Sequence, residues 1–374
     1  MAWPEPENNK ETINAAGRAL VKANKEEWER WDSDDWRKYH ATLAVINNWR
    51  GSHAYPLNTF QMNLRNTARR FEKNPLIAQR IKRLFSIGHK LDRFPTMKLS
   101  QMQDLGGCRA ILAHVSSVNN IAKYYAEQSA IKHSLASVDD YIGEPKSSGY
   151  RGIHLVYRYF SDKKKFMYNG MKIEIQLRSK YQHAWATAVE TVGMFSGQAL
   201  KSSLGSEEWQ RFFSLMGSVI AIREGTALVP GTPMGGRELI AELSFYATKL
   251  KVEERLKGYS KALHAISHAP NGAYYYLLQL DPQSGVLNVN GFKITDGANA
   301  ENQYAEAEKL VQQRPGTDAV LVSVDDVSTL WKAYPNYFAD TRMFVELMNQ
   351  AISGRSRRIR IGELKIAQGD LFGS

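Results

Sequence analysis

The segment Lys172–Arg178, KIEIQLR, alternates without a break: Ile173, Ile175 and Leu177 fall on one side, Lys172, Glu174, Gln176 and Arg178 on the other. A period of two is the signature of a strand, and this one sets an apolar side against a side carrying a carboxylate among cations. A sheet with one polar working face follows. Upstream, Asp139–His154, DDYIGEPKSSGYRGIH, ends in a Gly- and Ser-rich turn that presents Tyr150 among Lys146, Arg151 and His154. A turn of that composition suits a flat ring and a phosphate held together.

The rest of the chain is arranged around these two stretches. Residues 8–50 read as helices, with Asp32, Ser33 and Asp34 as cap candidates and Gly51 as a stop; 57–72 is helical again. Trp28, Trp31 and Trp36 read as packing between helices. LIAQRIKRLFSIGHKL, 76–91, reads as one amphipathic helix that places Lys82, Ser86 and Lys90 on a shared face at i, i+4 and i+8, with Arg80 and Arg83 nearby. Gln103–Ala113 reads as a short strand entered through Gly106 and Gly107, with Asp104 at its mouth and Arg109 further along. A helix at 116–128 with Ser116 or Ser117 as cap, a strand at 152–160, the KIEIQLR strand, and helices at 179–192 and 206–223 complete a first unit, 1–224. Residues 225–236, GTALVPGTPMGG, read as a linker. The second unit, 237–354, reads as a long helix to 268 followed by ββαβα, and 355–374 as a basic tail. Strands alternating with helices imply an α+β fold: a mixed sheet flanked by helices, plus a smaller α+β unit.

Composition narrows the function. The 374 residues carry a formal charge of +11, which favours polyanionic partners such as nucleic acid. Cys108 is the single cysteine, which excludes an internal disulfide and a cysteine-rich zinc site. No apolar run approaches the ~18 residues that span a bilayer, and MAWPEPENNK lacks a signal-peptide pattern, so the expectation is a cytoplasmic protein without a membrane partner. Asp104 and Glu174 on separate strands suit Mg²⁺, which takes one or two carboxylates with phosphate oxygens and water. Walker A, kinase and GxGxxG motifs are missing. These features stop at a nucleotide-binding α/β enzyme.

Four motifs in order carry a closer likeness: R-x-K-x-x-x-S-x-x-x-K at Arg80, Lys82, Ser86 and Lys90; QDLGGCR at 103–109; D-Y-I-x-x-P-K-x-x-G-Y-R-x-x-H at 140–154; and EIQLR at 174–178. Over residues 35–200 the chain resembles the synthetase domain of RelA/SpoT homologues, which move pyrophosphate from ATP to a ribose 3′-OH. The resemblance implies that Arg80 and Arg109 sandwich the adenine and that Lys82, Ser86, Lys90 and Gln176 serve the rest of ATP. It implies Mg²⁺ on Asp104 and Glu174, with Glu174 also taking the 3′-OH proton. Tyr150 would stack on the acceptor, with Lys146, Arg151 and His154 beside it. No His-Asp dipeptide occurs, so the signature of the family's hydrolase domain is missing.

The second unit, with YPNY at Tyr334–Tyr337, looks like the fused toxin–antitoxin members, the CapRel-like anti-phage proteins. That resemblance implies pyrophosphate transfer to the tRNA CCA end, restraint by a pseudo-zinc-finger region, and release by a phage protein, typically the major capsid protein. Tyr334 or Tyr337 would fill the adenine slot between the arginines; plain packing on one helix face at i, i+3 is the other reading of the pair. An alarmone synthetase acting on free nucleotides, with an allosteric second unit, uses the same catalytic residues. A sensor built on a dead synthetase fold is the non-enzymatic alternative, which the intact Asp104, Glu174 and Tyr150 disfavour.

Overall fold

The computed structural model describes residues 3–26, 30–128, 131–196, 207–262, 264–268, 270, 272–281, 283–314, 317–324, 330 and 332–354. Trp28, the residues around 326 and the tail from 355 lie outside them. Three helices open the chain: α1 (Lys10–Ala23), α2 (Ser33–Gly51) and α3 (Ala54–Phe71). Asn9 caps the first through the Thr12 amide, and Asp32 and Asp35 form a reciprocal capping box on the second. Trp31 and Trp36 pack edge-on with each other and with Tyr39, which is the packing role expected of them.

The 76–91 segment is not one helix. It splits into β1 (Leu76–Ile81) and α4 (Leu84–Arg93). The strand pairs antiparallel with β2 (Gly106–Leu112) over six residues, and a local helical period yields to that ladder. Arg80 therefore sits on a strand and Lys82 at the strand–helix junction; only Ser86 and Lys90 share a helix face. After α5 (Val115–Lys123), whose cap is His114 rather than a serine, come β3 (Ser134–Asp140), β4 (Ile153–Arg158) and β5 (Lys172–Ser179). The first of these three strands was not anticipated. Helices α6 (Lys180–Ser196) and α7 (Glu207–Glu224) follow.

Past residues 225–236, the expected long helix breaks where Lys251 takes a left-handed φ of 49°, giving α8 (Gly236–Lys249) and α9 (Val252–Ala262). Residues 264–268 then form a strand, β6, rather than helix. The expected ββαβ order holds: β7 (Tyr275–Asp281), β8 (Val286–Phe292), α10 (Gly297–Gln313) and β9 (Asp318–Ser323). A turn carries YPNY, so Tyr334 and Tyr337 are not on a helix, and α11 (Arg342–Ile352) ends the described chain.

The fold is α+β, with one nine-stranded mixed sheet in the order β3-β4-β5-β2-β1-β9-β7-β8-β6. The two parts of the chain meet at β1 and β9, paired antiparallel through Gln79–Ser323 and Arg80–Val322. The last helix returns to the first part: Phe344, Leu347 and Met348 are buried with Trp185, Phe212 and Phe213 of α6 and α7. Burying each of Phe344, Leu347 and Met348 is worth roughly 1.5–3 kcal/mol, so the two parts share substantial core.

Candidate active site

Strand pairing builds the first half of the site. Gln176 faces His154 across β4–β5, and Glu174 faces Gly107 across β5–β2. Their side chains rise on one sheet face. His154 Nδ1 lies 2.9 Å from Glu174 Oε1, and Gln176 Nε2 donates to Oε2 at 2.6 Å. The other His154 nitrogen, Nε2, is 2.5 Å from the Tyr150 hydroxyl, which accepts from Arg178 at 2.7 Å. Arg178 also donates to Gln176 Oε1 at 3.0 Å. A five-residue network results, from Tyr150 through His154 to Glu174 and back through Gln176 and Arg178. Burial pushes the Glu174 carboxyl up, but His154 and the Gln176 amide outweigh it and hold it at about 2. Lys146 Nζ stands 4.0 Å over the Tyr141 ring and 5.5 Å from that of Tyr150.

The loop before β4 is fixed by close approach. Gly149 has a φ of 91°, and a Cβ there would lie 2.6 Å from the Phe213 carbonyl; a Cβ on Gly217 would meet Gly149 Cα at 2.8 Å. Any side chain at either position would drive the Tyr150 loop off α7. Arg151 belongs to this scaffold rather than to the acceptor cluster. It is 2% exposed and donates to the Ala227 and Ile142 carbonyls and to Thr226 Oγ1.

The second half lies on β1, β2 and α4. Asp104 accepts from Lys82 Nζ at 2.6 Å and from Lys90 Nζ at 2.9 Å. Burial works against its charge, yet the two ammonium groups hold its carboxyl far below the usual range. Burial also brings the Lys82 ammonium down to about 8, against the pull of Asp104. Ser86 is on the α4 face next to Lys90, without a hydrogen bond of its own side chain among the described residues. Arg80, Arg109, Asp104, Glu174 and Gln176 line one cavity, of which only about 60 Å³ is open. Ligand sites commonly offer ~300–1,000 Å³.

Residues of the second unit fill the difference. The Tyr334 ring lies under the Arg109 guanidinium, 4.4 Å from Cζ to centroid, and its hydroxyl donates to the Gln79 carbonyl at 2.9 Å. Arg109 also donates to the Ala333 carbonyl, and His183 to that of Lys332 at 3.3 Å. Arg83 pairs with Asp318 and donates to the Tyr337 hydroxyl at 3.1 Å. Glu308 of α10 reaches the start of α4: its Oε1 accepts from the Leu84 amide at 2.8 Å and from Arg50 Nη1 at 2.9 Å. The Tyr304 hydroxyl donates to the same oxygen at 2.7 Å. Sequence reasoning put Arg178 on the polar face without a role of its own and missed Arg50 and Glu308. A role for Arg178 was within reach, since it shares the period-two face of Glu174 and Gln176.

Asp104 and Glu174 fit a magnesium site of the open kind. Both line the cavity, and the charge of Asp104 raises the Glu174 carboxyl, which places them in one another's field. No group of three or more metal-binding side chains occurs among the described residues, so phosphate and water would supply the remaining oxygens.

Residues 79–194 match the family described as a region found in RelA / SpoT proteins. Over 119 residues the chain is 32% identical to GTP pyrophosphokinase YjbM of Bacillus subtilis (strain 168), a stretch covering 30% of this chain and 52% of that protein. The chain thus spans about half the length of the curated relative it matches. Among solved structures, small alarmone synthetase 1 of Bacillus subtilis bound to its product pppGpp aligns with a TM-score of 0.38 at 21% identity, over 46% of this chain and 88% of that one. Small alarmone synthetase 2 of the same organism gives 0.39 at 19%, over 47% and 92%. A GTP pyrophosphokinase family protein from Streptococcus pneumoniae gives 0.37 at 21%, over 46% and 85%. The matched residues run from within β1 into the last turn of α6.

Proposed function

We propose that this protein is a pyrophosphotransferase that moves the β,γ-pyrophosphate of ATP to the terminal ribose 3′-OH of the tRNA CCA end, and that its second unit holds it inactive. The family match at 79–194 and the likeness to a GTP pyrophosphokinase support the reaction class. One observation carries the restraint: Tyr334, 3% exposed, occupies the place against Arg109 assigned to the adenine ring. In the reaction the 3′-oxygen bonds to the β-phosphorus, the α–β bridging bond breaks, and AMP leaves with the bond's electrons. The 3′-OH proton passes to Glu174. Against burial, His154 and the Gln176 amide hold that carboxylate at about 2, so it is a weak base that takes the proton as the oxygen–phosphorus bond forms. Lys82 and Lys90, freed from Asp104, stabilise the phosphates. A bound Mg²⁺ on Asp104 and Glu174 would neutralise phosphate charge. Tyr150 stacks on the terminal base, with Lys146 and His154 beside the sugar. A phage protein such as the major capsid protein, bound to residues 237–354, draws Tyr334 out.

The test supplies the full chain with ATP labelled at its γ-phosphate and offers tRNA, GDP and GTP in parallel, with and without capsid protein. Label on tRNA that requires the capsid protein is the expected result. Label on GDP or GTP alone, the acceptor that the name of the Bacillus relative suggests, would replace tRNA by a free nucleotide. Full activity without a trigger would remove the restraint.

A further inference from the structure

A second cavity, of about 730 Å³, opens between the segment before and at the start of α1, the 98–102 stretch and the β4–β5 connection. It is lined by Lys10, Lys98, Arg158 and Lys172, and none of its lining residues carries a carboxylate. Among the described residues none of these four cations has an ion-pair partner. Arg158 and Lys172 stand directly opposite each other across β4 and β5. Like charges in that position repel at ~4.5–5.5 Å between Cβ atoms, a cost that a bound anion would reverse. The rest of the lining supplies amides, such as Asn14 and Gln101, and methionine side chains.

The connection that leaves this cavity continues the pattern. Lys163 and Lys164 are exposed, and two aromatic rings beside them face solvent, Phe166 at 66% and Phe160 at 47%. Cations interleaved with exposed rings are what a polynucleotide needs, phosphates for the first and base faces for the second. The cavity also adjoins the active face. Lys172 and Glu174 are two residues apart on the same side of β5, ~6.6 Å along the strand.

We propose that this cavity and the β4–β5 connection bind a single-stranded polynucleotide through its phosphates, stack its bases on Phe160 and Phe166, and seat the strand whose 3′ end enters the Tyr150–Glu174 site. The inference rests on the reading of the acceptor as an RNA 3′ end. Residues of the second unit do not line the cavity, so the strand can bind while Tyr334 is in place.

The experiment measures binding of a fluorescent single-stranded RNA ending in CCA to the full chain, by anisotropy over a range of salt. It compares wild type with Lys98→Glu/Arg158→Glu and with Lys293→Glu/Lys309→Glu, a pair making the same charge change on the second unit. Thermal unfolding checks that each variant is folded. The cavity pair is expected to weaken binding about ten-fold or more and to flatten the salt dependence by about 1.4, at ~0.7 for each single-strand phosphate no longer neutralised. The control pair is expected to stay within about two-fold. Phe166→Ala should weaken binding roughly five-fold or more, the low end of what one stacked base contributes. Wild type that labels RNA, with cavity variants that bind it equally well, overturns this inference and leaves the proposed function standing. RNA binding that depends on the cavity, with label only on guanine nucleotides, overturns the acceptor and leaves the cavity. No RNA binding by wild type overturns both.

Discussion

On the β4–β5 side of the catalytic cavity, Tyr150, His154, Glu174, Gln176 and Arg178 satisfy one another, and every partner comes from within 29 residues of sequence. On the β1–β2 side Lys82 and Lys90 pair locally with Asp104, but the arginines are satisfied from far away: Arg109 by Tyr334 and Ala333, Arg83 by Asp318 and Tyr337, Arg50 by Glu308. On the proposed function the first side is the acceptor half, finished by its own strands, and the second is the donor half. The donor half is finished by the second unit, which offers a tyrosine where a base would stack and carboxylates where phosphates would draw the arginines. The proposed restraint would need to move only one partner. Under the proposed function, the arginines of this side are exchanged between internal partners and ATP.

The contrast is broken most severely by Glu174→Gln. The acceptor network loses its charge, and transfer in a Tyr334→Ala background should fall ~10²–10⁴-fold, the usual contribution of a positioned base. ATP binding, measured separately without Mg²⁺ so that the lost metal ligand does not enter, should change by no more than about three-fold. A comparable loss in both measurements would mean that the two halves are not separable.

Glu308→Gln attacks the other half at its deepest point. Arg50 and Glu308 are both nearly inaccessible, and Arg50 is held charged against burial by Glu308. Neutralising one member leaves a buried guanidinium without its counter-charge, at ~3–5 kcal/mol. The amide of Leu84 loses its strong acceptor with it. Amide exchange at the start of α4 and in α10 should speed up by orders of magnitude, with much less change in β4 and β5. Uniform acceleration across the sheet would show one cooperative unit instead of a seated module.

Tyr334→Ala is a gentler cut. It removes the ring against Arg109 and the hydrogen bond to Gln79, roughly 1–3 kcal/mol together. Apparent ATP affinity should rise about five- to a hundred-fold in calorimetric titration, while GDP or RNA binding stays the same. An unchanged ATP affinity would return YPNY to packing.

Much of this arrangement is legible in the sequence because it is local. The alternation of KIEIQLR places Glu174 and Gln176, and the Gly-rich turn places Tyr150, in each case through neighbours a few residues away. The ββαβ order of the second unit is legible for the same reason. What escapes is long-range. LIAQRI has enough helical period to join α4 and becomes a strand only because residues 106–111 and 322–323 pair with it. Arg151 sits among acceptor residues in the chain, yet its guanidinium points to carbonyls at 142 and 227, a contact no spacing encodes. Glu308 reads as one more charge on an amphipathic helix until Arg50, 258 residues earlier, is found beside it.

The smallest effect sharpens the comparison through pH. Lys82 belongs to the donor half but is paired within the first unit, to Asp104. Burial brings its ammonium from the ordinary 10.5 to about 8, so it loses its proton near physiological pH while Asp104 remains a carboxylate. Between about 8 and 10.5 the unfolded chain binds more protons here than the folded one. The contribution of Lys82 to stability therefore rises with pH across that window. Its attraction for phosphate moves the opposite way and fades as pH passes about 8. In the Tyr334→Ala background, ATP affinity should drop about three- to ten-fold between pH 7 and 9, while the unfolding midpoint holds or rises. Lys82→Arg, charged throughout, should flatten the affinity profile. A drop that persists in that variant would move the titration to another group and leave Lys82 as a partner of Asp104 only.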